Sequence, residues 1–140
     1  LLRVPAPCVS SRSCHSADAT PPAAITTRTP AATKRPEPAA HYVIVRRDLP
    51  LGFLAAQVVH AAGESSPGGL AHDTRAVVLS VEGERALREV HERLRVAGIE
   101  HVLICEPDAP WCGEATAIGV SPRVRREEVR RLLSSLPLLR

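Results

Sequence analysis

Residues 46–62 read Arg46-Arg47-Asp48-Leu49-Pro50-Leu51-Gly52-Phe53-Leu54-Ala55-Ala56-Gln57-Val58-Val59-His60-Ala61-Ala62, and this stretch decides how the chain is understood. It follows His41-Tyr42-Val43-Ile44-Val45, a run with the composition of a strand. Pro50 and Gly52 mark a turn, and a helix of small residues comes next. Gln57 and His60 are three positions apart on that helix, so their polar heads share one side. A strand, a tight turn and a small-residue helix with polar heads commonly build a site, and generic α/β proteins use the same arrangement.

Outward from this stretch, residues 41–46 are the first strand and residues 54–63 the first helix. Gly63 and the loop Glu64-Ser65-Ser66-Pro67-Gly68-Gly69 end the helix. Residues 75–81, Arg-Ala-Val-Val-Leu-Ser-Val, read as a strand buried on both faces. In residues 84–97 Leu87, Val90, Leu94 and Ala97 recur at helical spacing, and Arg85, Arg88, Glu89, Glu92, Arg93 and Arg95 fill the wet side. Gly98 ends that helix. Residues 101–105 form a third strand, and Pro107 and Pro110 keep the loop at 106–113 out of any ladder. Residues 115–120 form a fourth strand and residues 126–136 a closing helix. The order β-α-β-α-β-β-α predicts an α/β domain with a mostly parallel or mixed sheet under helical cover.

The length of 140 residues supports one domain. Residues 1–40 hold Pro5, Pro7, Pro21, Pro22, Pro30, Pro36 and Pro38 among Ala, Ser and Thr. A segment of this kind buries too little apolar surface to offset its ordering entropy, so disorder is expected there. Arg3, Arg12 and Arg28 among Ser and Thr also fit a transit peptide, a reading that the lack of an amphipathic pattern disfavours. The first 40 residues carry five basic and two acidic residues, which accounts for the net charge of +3. The remaining 100 carry 13 of each sign, which argues against strong, indiscriminate nucleic-acid binding and leaves room for a local patch. No run approaches the roughly 20 apolar residues of a membrane span, so no membrane partner is expected. Cys8, Cys14, Cys105 and Cys112 form no C-x-x-C pair, so neither a zinc site nor a disulfide framework is indicated. Cys105 is expected buried and Cys112 in a loop, in keeping with a reducing cytoplasm.

Asp48-Leu49 followed by Ala55-Ala56-Gln57-Val58-Val59-His60-Ala61-Ala62 resembles the first motif of the type II peptidyl-tRNA hydrolases. Further similarities follow in order. Residues 75–80 resemble that family's second strand, and residues 82–98 its helix ending in Gly-Leu or Gly-Ile. Residues 100–106 resemble the strand that runs into its acidic residue, and Thr116-Ala117-Ile118-Gly119-Val120-Ser121-Pro122 its Thr-x-x-Gly-Ile-Gly-Pro segment. The resemblance spans about residues 41–138. It implies a four-stranded mixed sheet flanked by helices, commonly paired as a dimer. It also implies hydrolysis of the ester joining a peptide to the 3′-ribose of tRNA, with no cofactor or metal.

On this resemblance Gln57, His60, Glu106 and Thr116 are the candidate catalytic residues. Gln57 would donate to the scissile carbonyl or orient water, and His60 stands one turn further along. Glu106 takes the place of the family's Asp, where a carboxylate can orient water or accept a proton. Asp108 is its rival. The Thr116 hydroxyl would bind phosphate, water or backbone. Each has a plainer role as well: a backbone-bonded amide, a packed histidine, solvated loop acids, a strand threonine. Arg46, Arg47 and Arg123 are candidate tRNA contacts, Arg123 within a cluster with Arg125, Arg126, Arg130 and Arg131. Trp111 can stack on a terminal base or plug the loop. The family's Lys-Gly-Lys loop reads Leu51-Gly52-Phe53-Leu54 here, without lysine, and the other reading is a non-catalytic module on the same fold that binds RNA or protein.

Overall fold

The computed structural model describes residues 38–140. Its elements are β1 (Ala40–Arg46), α1 (Leu51–Ser65), β2 (Arg75–Val81), α2 (Glu84–Val96), β3 (His101–Glu106), β4 (Glu114–Val120) and α3 (Arg126–Leu133). The strands form one sheet in the order β2-β1-β4-β3, with β1 parallel to β2 and β4 antiparallel to both β1 and β3. This is the four-stranded mixed sheet that the sequence predicts, in the predicted element order. The extension expected to be disordered lies outside the described residues, apart from residues 38–40, of which Ala40 opens β1.

Strands β1, β2 and β3 all point one way. Their last residues, Arg46, Val81 and Glu106, therefore meet the first residue of β4, Glu114, along a single margin of the sheet. Open α/β sheets place ligands outside the carboxyl ends of their strands.

Side-chain alternation splits β1 between two cores. Tyr42 and Ile44 pack with Leu87, Val90 and Leu94 of α2 and Val129 and Leu133 of α3. Val43 and Val45 pack with Leu54 and Ala61 of α1, Ile104 and Ala117. Leu87 and Leu94 are fully buried, and each contributes roughly 1.5–3 kcal/mol by leaving water.

Helix α1 starts earlier and ends later than the predicted 54–63. Pro50 occupies its N-cap, and the Pro50 carbonyl accepts the Leu54 N–H at 2.8 Å. Gly52 thus falls in the first turn, where N–H groups need no helical partner. Gly63 does not end the helix, because Ser65 is anchored beyond it. The Ser65 hydroxyl donates to the Ala61 carbonyl at 2.7 Å and bonds His41 Nε2 of β1 at 2.8 Å. Helix α1 lies on β4 at Gly119, where a Cβ would come within 2.2 Å of the Ala61 carbonyl oxygen. Only a residue without a side chain admits so close an approach.

Two burial expectations are corrected. Strand β2 is an edge strand, and Arg75 and Ala76 are exposed, so it is not buried on both faces. Cys105 is exposed because Ile104 faces α1 and its neighbour turns the other way at the far edge of the sheet. Helix α3 ends at Leu133, short of residue 136, before Pro137, which cannot continue it. The chain then runs along β2: the Ser80 N–H donates to the Pro137 carbonyl and the Leu139 N–H to the Val78 carbonyl. These two bonds cover the β2 edge at residues 78–80.

Candidate functional site

Gln57 sits on the face of α1 that meets the sheet and is 4% exposed. Its Nε2 donates to Glu106 Oε2 at 3.0 Å, and its Oε1 accepts the Thr116 hydroxyl at 2.7 Å. Three of the four predicted catalytic residues, from α1, the end of β3 and the start of β4, are therefore in contact. A β-bulge makes this possible. Ile104 pairs with Ala117 but Cys105 pairs with Ala115, so Thr116 is the extra residue of the ladder. Without the slip, strict alternation would turn Thr116 toward α2. The bulge re-aims it to the α1 side, where it is fully buried and also bonds the Ile104 carbonyl at 3.3 Å.

The Glu106 carboxylate fixes which way the Gln57 amide points. A carboxylate only accepts, so the amide nitrogen must face Glu106, and the amide oxygen is left to accept the Thr116 hydroxyl. One N–H of Gln57 and Glu106 Oε1 have no protein partner among the described residues. A donor and an acceptor thus remain side by side at a half-buried position.

His60 does not join this group. It is exposed, and its Nε2 lies 3.9 Å from Glu64 Oε1, one turn along the same helix. Asp108 is exposed, and its carbonyl accepts the N–H groups of Trp111 and Cys112 within the loop. That leaves Glu106 as the acid that meets Gln57.

Arg46 is 5% exposed and already committed. Its Nε and Nη2 form a fork on the Asp48 carboxylate at 2.9 and 2.8 Å, and Nη1 reaches Glu114 Oε2 at 2.6 Å and the Ala115 carbonyl at 3.2 Å. The hydrogen bonds that Arg46 donates to Asp48 raise the Arg46 pKa, and Arg46 holds the Asp48 carboxyl below the usual carboxylate range. Arg46 therefore ties the end of β1 to the start of β4. Its guanidinium lies 5.4 Å from the centre of the Trp111 ring, which stacks on Phe53 at 5.3 Å with an interplanar angle of 15°. The indole is thus packed between α1 and the ion-paired arginine, and Phe53 lies one turn before Gln57. Glu84 adds a brace from α2 by accepting the Ala115 N–H at 3.1 Å, the bond that chiefly lowers its pKa.

Arg47 is exposed and bonded to Glu82 through Nε at 2.8 Å and through Nη2. Arg123 lies at the other end of the sheet, beside a cavity of about 180 Å³ that Ala39, Ser65, Glu100 and Ser121 also line. Gln57 and Ser65 are eight residues apart on α1, which is roughly 12 Å of helix. Arg123 does not share the Gln57 group.

The sequence left Asp48, Glu114 and Phe53 without a role. The Arg46-x-Asp48 spacing was a signal for the fork, whereas nothing local marks Glu114, which is 68 positions away. Among the described residues no group of three or more His, Cys, Asp or Glu side chains is placed to hold a metal, and no helix is long and apolar enough to cross a membrane.

No protein-family model and no curated protein matches the chain. Among solved structures, it is similar to a protein of unknown function from Agrobacterium tumefaciens strain C58. The two share 19% sequence identity with a TM-score of 0.48, over 73% of this chain and 98% of that one.

Proposed function

We propose that the chain hydrolyses the ester between a peptide, or an N-blocked amino acid, and the 3′-ribose of tRNA. The resemblance of residues 41–138 to the type II peptidyl-tRNA hydrolases suggests the substrate. The observation that carries the reading is the 3.0 Å contact between Gln57 Nε2 and Glu106 Oε2, with Glu106 Oε1 left open. A water held by Glu106 gives up a proton to that carboxylate as its oxygen attacks the ester carbonyl. The remaining Gln57 N–H faces the developing oxyanion. Collapse of the intermediate breaks the bond to the ribose oxygen, which takes the proton from Glu106 and leaves as the 3′-hydroxyl. Thr116 acts through Gln57 by anchoring the amide oxygen, while Glu106 keeps the amide nitrogen turned to the reacting atoms.

A second reading, a binding module without catalysis, draws on the arginines. Arg46 and Arg47 are both engaged by acids, and the loop at residues 51–54 carries no lysine, so no free cation stands beside Gln57 among these residues. Incubation with labelled N-acetyl-aminoacyl-tRNA separates the two. The hydrolase reading expects release of the acyl group, lost in Gln57→Ala and Glu106→Gln. An intact ester on tRNA that the protein still binds would establish the module instead.

A further inference from the structure

The two edges of the sheet are treated differently. Residues 137–139 bond to the β2 edge at residues 78–80, whereas among the described residues nothing pairs with the outer edge of β3. The ladder tells which backbone groups point out. The Ser121 N–H donates to the Glu100 carbonyl at 3.0 Å, so His101↔Val120 is a non-hydrogen-bonded pair. By alternation Val102 and Ile104 turn their N–H and C=O groups toward β4, while His101 and Leu103 turn theirs outward. The Glu106 carbonyl accepts the Gly113 N–H at 2.6 Å and so points inward, which leaves Cys105 facing outward too. Along β3 the outward N–H and C=O groups of His101, Leu103 and Cys105 form a template for one more strand.

We infer that this edge takes an extended peptide as a fifth strand, parallel to β3, with the peptide's carboxyl end beside Glu106. The direction follows from the site. β3 runs toward Glu106, and Glu106 is the residue that meets Gln57, so a chain whose C-terminal carbonyl reaches that pair must run the same way as β3. The inference rests on the reading under Proposed function for its substrate: the occupant is the peptidyl part of the ester. It also names what that part must offer, which is a main chain with N–H groups at alternate residues and no set side-chain sequence.

Two measurements on the full chain test it. The first is steady-state hydrolysis of tRNA esters carrying N-acetyl groups of one to five residues. KM is expected to fall about tenfold or more between one and four residues, the gain of two or three net main-chain hydrogen bonds, and then to level off. N-methylation of alternate peptide amides in the substrate should abolish the gain. Leu103→Pro, which removes an outward N–H without touching the β4 ladder, should bring the long ester back to the KM of the short one. Retained amide protection at Val102 and Ile104 would verify that this variant is folded. A KM independent of length overturns the inference and leaves the hydrolase reading intact.

The second measurement is an amide-resolved NMR titration with N-acetyl-Ala-Thr-Ala-Gly amide. Shifts and slowed exchange at His101, Leu103 and Cys105 support the strand even if neither ester is cleaved, in which case the hydrolase reading alone fails. Unmoved edge amides overturn it. So does protection of the same amides in the peptide-free protein at a dimeric mass, since a second copy would then occupy the edge.

Discussion

Gln57 and Thr116 stand 59 positions apart in the chain, and a 2.7 Å hydrogen bond joins them inside the protein. That bond depends on one slipped position in the β3–β4 ladder. It makes the orientation of a side-chain amide a property of strand register.

Thr116→Val keeps the shape and removes the hydroxyl. The Gln57 amide oxygen is then left without its donor in a buried position, which costs about 1–3 kcal/mol. The amide also loses one of the two bonds that hold it in place against Glu106. Chemical denaturation should register the first effect and the rate of ester hydrolysis the second, while Thr116→Ser should restore both.

Gly119→Ala places a methyl group 2.2 Å from the Ala61 carbonyl oxygen and 2.4 Å from Ser65 Oγ. Backbone cannot yield as a flexible side-chain end does, so α1 must move off β4. Overpacking of this kind costs typically 1–3 kcal/mol. The urea midpoint should fall, and the Gln57–Glu106 contact should open, which a crystal structure of the variant would display.

Arg46→Met removes the centre of the Asp48–Arg46–Glu114 network. Both acids are partly exposed, at 44% and 39%, so water takes up much of the loss. The expected cost is about 1–3 kcal/mol, below the 3–5 kcal/mol of a fully buried pair. Acid titration gives a second readout. Asp48 has a folded pKa below its unfolded value, so its contribution is complete above about pH 4 and is lost as the pH falls through the folded value. In Arg46→Met the stability curve should be flatter on that acid limb.

His41 is buried against Ser65, and burial lowers its pKa. The unfolded chain then binds the proton more readily than the folded one. Stability is therefore full above about pH 6.5 and declines as the pH falls below it. His91 adds to the same slope, lowered by burial and then by the neighbouring His101. Denaturation free energies measured from pH 7.5 down to 5.5 should decline in the native chain and decline less in His41→Gln.

The elements were legible because their signals are local. Leu87, Val90 and Leu94 repeat at helical spacing, and all three are buried in α2. The run 75–81 is a strand by its β-branched residues, yet its burial depends on which strands flank it, and composition does not carry that. A motif singles out Gln57, Glu106 and Thr116, and Gln57 bonds both of the others. Arg46 is a candidate tRNA contact in the sequence because a sequence shows a cation without its partners; Asp48 and Glu114 come to it only through the fold. Arg123 was grouped with the site by sign of charge, and sheet direction carries it to the far end. The Gly119 contact is invisible in a one-dimensional text, since the atom it would strike belongs to a helix more than fifty residues upstream.

The strap at residues 137–139 has a consequence for how the sheet meets other chains. With part of one margin bonded to residues 137–139, the β3 side offers the longer free edge, and β3 runs toward Glu106. Trimming the last four residues would bare the opposite border and give stray chains a second place to latch on. A chain cut after Leu136 should clump on storage faster than one that keeps residues 137–140.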